Sequence, residues 1–243
     1  MPPGSELWLN TERYTVPQLA VFGAGCVLWI VAYVAVLQNV RRQQFVTIPA
    51  AAVVANVSWE FLWGFFFMPD MGKLIVWGYR AWAILDVFIV WNLLKYGDRQ
   101  LLTPVGKQYV KPAVLFGIAC WFTALWFFIG EGYDMSMGAT SAYLINVMMS
   151  AVYIVLIAKH PEIKRFSFTV AWTKGLGTAL ISLFMVMAPL YRYDVPAPAA
   201  PSAKGFLLVL CAITLVLDGV YIGMFRLRLR APDAPAGGPV PAR

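Results

Sequence analysis

The chain has 243 residues, 60% of them apolar and only 13% charged, with a net charge of +7 and a mean hydropathy of +0.69. A soluble domain carries about a quarter charged residues, so most of this surface is not built for water. The basic residues lie in loops between apolar runs, which speaks against nucleic acid as a partner, and the loops leave no room for a soluble catalytic domain.

A membrane span needs roughly 20 apolar residues. Seven such runs follow one another at about 18–38, 46–67, 75–95, 112–130, 140–158, 168–189 and 206–226. The expected fold is all-α: a polytopic bundle of seven transmembrane helices in a lipid bilayer, either a bacterial cell membrane or the endoplasmic reticulum. Residues 1–17 read as an extracytoplasmic segment, 18–228 as the transmembrane domain and 229–243, rich in Pro, Gly and Ala, as a disordered cytoplasmic tail. Loops 39–45, 95–111 and 159–167 and the tail from 226 hold thirteen basic residues, against four on the opposite side. The positive-inside bias then puts the N-terminus outside and the C-terminus in the cytoplasm. Trp77, Tyr79, Tyr191 and Tyr193 gather near span ends, as interfacial anchors do. No internal repeat is visible. Cys26, Cys120 and Cys211 sit inside apolar runs and read as small packing residues.

Charge inside a span is expensive, about 3 kcal/mol per residue on the insertion scale, and marks a functional site by default. Five residues qualify: Glu60, Arg80, Asp86, Lys174 and Asp218. In the second span, ANVSWEFLWGFFF, Asn56, Glu60, Trp63 and Gly64 share one helix face, and Gly64 leaves a gap for close approach. The third span places Trp82 four residues before Asp86, with Arg80 at a depth similar to Glu60. Asn146 falls in the same half of the fifth span, and Thr214, Asp218 and Tyr221 line one face of the seventh. Lys174 falls at another depth. Arg80 and Lys174 can snorkel instead, and Asp218 has a second reading as a salt-bridge partner of Arg80 or Lys174.

Two carboxyls on different helices, lined by Trp and Tyr, suit an acid in an apolar chamber. A carboxyl in low dielectric keeps its proton and acts as a general acid, aromatic faces stabilise a cation, and dryness keeps that cation from being quenched. These are the needs of an acid-initiated carbocation cyclisation, although a proton-coupled carrier also uses buried carboxyls. The only histidine, His160, lies in a loop, and no DDxxD or DxDD pair exists, so no metal and no cofactor are expected.

With its seven spans, the N-x-x-W-E pattern of Asn56, Trp59 and Glu60 and the lone Asp218 of the last span, the chain resembles the integral-membrane terpene cyclases of meroterpenoid, indole-diterpene and bacterial indole-sesquiterpene pathways. The resemblance implies protonation of the terminal epoxide or alkene of a prenylated hydrophobic substrate. It implies that Glu60 is the proton donor and Asp218 a supporting carboxylate. Burial alone adds Asn56, Trp59, Trp63, Arg80, Trp82, Asp86, Asn146 and Tyr221 as candidate substrate-binding residues. The competing reading is a small seven-helix proton-coupled transporter of the PQ-loop type. It would use Glu60 or Asp218 as proton sites, and its Pro-Gln motif, expected in both halves, occurs once, at Pro17-Gln18.

Overall fold

The computed structural model describes residues 6–101, 106–193 and 201–230. The expected tail beyond 230 and the Pro-rich stretch 194–200 lie outside the described residues. Within them are seven α-helices: α1 (Val16–Gln43), α2 (Ala50–Phe65), α3 (Lys73–Tyr96), α4 (Val110–Gly130), α5 (Ala139–Lys159), α6 (Phe168–Met187) and α7 (Gly205–Arg230). Short 3-10 turns join some of them, and the sole β-type pairing among the described residues is a bridge between Met135 and Arg192.

Six of the helices are long and apolar enough to cross a membrane; α2 is shorter. At 1.5 Å per residue its 16 residues span about 24 Å, less than a hydrocarbon core of about 30 Å. The expected run at 46–67 loses its ends for local reasons. Pro49 stands just before the helix, and the residue before a proline avoids the helical region. Phe45, Val46 and Ile48 are buried all the same, as non-helical chain whose backbone needs partners. The Gln100 side chain supplies them. Its Nε2 donates to the carbonyls of Val46 (2.8 Å) and Ile48 (2.7 Å), and its Oε1 accepts the Ala50 N–H (3.0 Å).

The helices alternate in direction. At one end, Arg99 donates to the Gln44 carbonyl (3.1 Å), Asn39 to that of Arg165 (2.8 Å) and Arg228 to that of His160 (2.7 Å). The basic loops that the charge count groups together therefore meet in space. At the other end, Gln18 donates to the Met187 carbonyl (2.7 Å) and Arg192 to that of Gly132 (2.8 Å). There residues 7–14 cross the α2–α3 turn. The carbonyls of Leu7 and Trp8 accept the first N–H groups of α3, from Lys73 (2.8 Å) and Leu74 (3.0 Å), which the helix itself leaves unpaired. Asp70 in that turn accepts from Tyr14 and Arg13, each at 3.0 Å.

Packing explains why a short helix suffices at α2. It touches α3, α4 and α5 and buries residues nearly all along its length. By contrast α4 buries only Val114, Leu125 and Ile129. Trp91, Phe116 and Val216 stand largely exposed on the outside, an apolar surface that water does not tolerate at this extent. The chain is a multi-pass membrane protein, and lipid covers this belt.

Helices α1 and α6 approach each other closely at two glycines. A Cβ on Gly25 would lie 2.7 Å from Ile181 Cγ1 and 3.0 Å from the Gly177 carbonyl oxygen, and one on Gly177 would lie 3.1 Å from that of Gly25. Small residues let the two backbones touch where no hydrophobic effect holds helices together. Gly25→Val is expected to cost about 1–3 kcal/mol by overpacking, read as a lower melting temperature of the detergent-solubilised protein. Gly23→Val, where a Cβ meets nothing within 4 Å, should leave it nearly unchanged.

Candidate active site

The α-helical spacing of four puts Asn56 and Glu60 on the same face of α2, and two neighbouring helices complete the cluster. The Tyr33 hydroxyl of α1 donates to Glu60 Oε1 at 2.5 Å. Asn56 Nδ2 lies 2.9 Å from the same Oε1, 2.9 Å from Asp86 Oδ2 of α3 and 2.5 Å from the Tyr33 oxygen. One amide group thus ties two carboxyls together, sharing two hydrogens among three acceptors. Glu60 and Asp86 are 3% and 1% exposed. Tyr33 and Asn56 both bond Glu60 at Oε1; Oε2 is buried and accepts no hydrogen bond from the described residues, and the Asp86 carboxyl lies within hydrogen-bonding reach of Glu60.

Glu60 lines a cavity of about 80 Å³, on a measure by which one water takes roughly 10–15 Å³. Its walls are aromatic: Trp29 and Tyr33 from α1, Trp59 from α2, Tyr79 and Trp82 from α3. Helix α5 adds Asn146 and α6 adds Thr178 to the lining. Besides Glu60 Oε2, three buried polar atoms of lining residues have no partner among the described residues: Trp82 Nε1, Asn146 Oδ1 and Thr178 Oγ1. An unsatisfied buried polar group costs about 1–3 kcal/mol, and four such atoms belong to residues that line this one cavity.

The walls are held from behind. Trp59 Nε1 donates to Ser141 Oγ at 2.8 Å, and the Ser141 hydroxyl in turn donates to Asp134 Oδ2. Asp134 Oδ1 accepts the N–H groups of Met135 (2.8 Å), Thr140 (2.9 Å) and Ser141 (3.2 Å). It therefore caps α5, whose own cap residue Gly138 has no side chain. Burial pushes the Asp134 carboxyl up to about 6, against the opposing pull of those donors. Gly138 has φ +74° and packs on the indoles; a Cβ there would lie 2.5 Å from Trp63 Nε1. The Tyr79 hydroxyl reaches the Met137 carbonyl in the same turn (3.0 Å).

The structure brings Glu60, Asn56, Trp59, Trp82 and Asn146 to the cavity, with Asp86 joined through Asn56. The other residues singled out in the sequence lie elsewhere. Trp63 is fully buried beside the cavity wall, edge-on to Tyr193 (5.2 Å). Arg80 donates from Nε to the Gly64 carbonyl (2.9 Å) and lies over the Trp77 ring (4.9 Å), toward the outside. At Gly64, read as leaving a gap, a Cβ would lie 3.4 Å from the Arg80 backbone nitrogen, an ordinary contact. Tyr221 packs against Tyr153 (4.9 Å). Asp218 does not line the cavity: its Oδ1 accepts from Lys174 Nζ at 2.6 Å and from the Ser150 hydroxyl at 2.7 Å. The Lys174 ammonium faces the Trp29 ring at 5.8 Å, so the ion pair backs one cavity wall. Lys174 and Asp86 also border a second, smaller hollow.

Tyr79 is a correction. Expected at the interface, it is 3% exposed and stacks on Trp82 with ring centroids 5.7 Å apart. Tyr33 and Thr178 were missed, although a tyrosine in the middle of an apolar run is itself a signal, since its hydroxyl needs a partner there. Among the described residues no three His, Cys, Asp or Glu side chains gather as metal ligands.

Fold and site together define a multi-pass helical membrane protein with a carboxyl in an internal aromatic chamber. The chain belongs to the Pyr4-like transmembrane terpene cyclases, whose family model matches residues 11–230. It is 24% identical over 197 residues to the Pyr4-family terpene cyclase mfmH of Annulohypoxylon moriforme, covering 79% of this chain and 78% of that protein. It is 22% identical over 161 residues to the terpene cyclase macJ of Penicillium terrestre, covering 63% and 60%. No solved structure matches the chain. This membership does not favour the transporter reading.

Removing one partner of a buried ion pair strands the other charge, at about 3–5 kcal/mol. Lys174→Met should therefore unfold the protein at distinctly lower temperature. Adding Asp218→Leu should recover much of the loss, as a thermal melt in detergent will show.

Proposed function

We propose that the chain is an acid-initiated cyclase of prenylated substrates, with Glu60 as the proton donor. The observation that carries this reading is the asymmetry of its carboxyl: Oε1 is held by Tyr33 and Asn56, while Oε2 accepts no hydrogen bond from the described residues, in a side chain that lines an aromatic cavity. A carboxyl held at one oxygen and without a donor at the other is oriented for transfer. Asp86 is held close to the acid through the same amide.

In the proposed reaction the Glu60 carboxylic acid gives its proton to the terminal epoxide oxygen, whose C–O bond breaks, or to the terminal alkene. The resulting cation is attacked by the next double bond of the chain, forming a ring, and the last cation loses a proton that restores the acid. The product is an isomer of the substrate. Faces of Trp29, Trp59 and Trp82 each stabilise passing positive charge by about 0.5–2 kcal/mol. The unpartnered Trp82 N–H favours the epoxide trigger, since an epoxide oxygen accepts a second donor and an alkene does not. Asp218 acts in this reading as a positioning residue: with Lys174 it holds the wall that carries Trp29.

The same reading takes all seven helices across the bilayer, with the basic end in the cytoplasm and α2 shielded from lipid by its neighbours. The prenyl chain enters from the membrane, and the reaction takes its proton from a side chain, without metal or cofactor.

Membranes containing the protein are to be incubated with a farnesylated indole or phenol, with and without a terminal epoxide, and assayed for a cyclised isomer by mass spectrometry. Glu60→Gln should lower turnover at least 100-fold with an unchanged thermal melt. Undiminished product from that variant refutes the assignment.

A further inference from the structure

The proposed acid accounts for one part of the cavity lining. The part of the lining that α5 and α6 supply carries two polar atoms that proton transfer does not use: Asn146 Oδ1 and Thr178 Oγ1, both buried and without partners among the described residues. Which atom of the Asn146 amide faces the cavity is decided by chemistry. Its Nδ2 donates to the Ala142 carbonyl at 3.1 Å, and a carbonyl cannot accept from Oδ1, so a flipped amide would set two acceptors against each other. The cavity is therefore offered an acceptor.

One turn before Asn146, the Tyr143 hydroxyl lies 2.8 Å from Ser182 Oγ and reaches the Thr178 carbonyl at 3.4 Å. These bonds lock α5 to α6 at this level. Thr178 is 2% exposed, and its hydroxyl can donate or accept.

We propose that this wall is the dock for the substrate's head group, and that the head group presents an N–H or O–H donor to Asn146 Oδ1, with the Thr178 hydroxyl as a second partner. The proposal rests on the cyclase reading above and deepens it. The enzyme grips the polar head at α5 and α6 and leaves the apolar chain to run past the indoles toward Glu60. Donor-bearing aromatics such as an indole or a phenol fit, and their methylated counterparts do not. A site built to bond an N–H or O–H rejects the analogue lacking it, because its own buried acceptor is then left unpaired.

The test uses the full chain in detergent micelles with two ligand pairs: 3-farnesylindole against its N-methyl analogue, and 2-farnesylphenol against its methyl ether. Affinity is read from ligand-induced thermal shifts, and turnover from the terminal epoxides of the same compounds. The wild type should bind the donor member of at least one pair about tenfold more tightly than the methylated member. Glu60→Gln should keep that preference while losing turnover. Asn146→Leu should reduce the preference to within about twofold while still binding the methylated ligand; Thr178→Val, smaller in its disturbance, should reduce it part of the way. Equal binding within both pairs, no binding of either donor, or a preference that survives both α5 and α6 variants overturns the dock. Full turnover by Glu60→Gln overturns instead the assignment of the acid, and the binding ratios still decide the head-group site.

Discussion

A polar group surrounded by hydrocarbon must find its partner inside the protein, and the Asn56 amide is where this bundle meets that demand most tightly. Its two hydrogens serve Glu60, Asp86 and Tyr33, so α1, α2 and α3 are joined through one side chain. The arrangement also leaves one oxygen of the Glu60 carboxyl without a donor, in a residue that lines the cavity.

The second demand falls on α2. A helix that carries the cluster has to be surrounded on most sides, and a surrounded helix does not need to match the thickness of the bilayer. Its 16 residues are enclosed by α3, α4 and α5, with a buried non-helical lead-in clamped by Gln100. Around it the pieces with least burial, such as α4, face lipid. Asp134 closes the arrangement from outside, capping α5 and, through Ser141, holding the Trp59 indole in the cavity wall.

Much of the site was legible in the sequence because intramembrane polarity is rare and helical spacing is rigid. Asn56 and Glu60 share a face by their separation of four, and Asp86 and Asn146 stood out as polar residues at a matching depth. Other residues resisted the same logic. Tyr79 sits near a span end and reads as an interfacial anchor, yet the Met135–Gly138 turn folds over it and turns it into a wall of the cavity. Thr178 is too ordinary in a helix to attract notice; only the lack of a partner on a cavity sets it apart. For Asp218 the sequence offered a salt bridge to Arg80 or Lys174 as a second reading, and the structure pairs it with Lys174, 44 residues away.

Composition and hydropathy by themselves determined the helical class, the helix order, the grouping of basic loops at one end and the face of α2 that carries the carboxyl, since each follows from the periodicity of a helix and the cost of charge in lipid. Tertiary structure decided which polar residues meet. Helix packing rotates each span by an angle that no single span encodes, and that rotation sent Glu60, Trp82, Asn146 and Thr178 to one cavity while Arg80 went outward and Asp218 to Lys174.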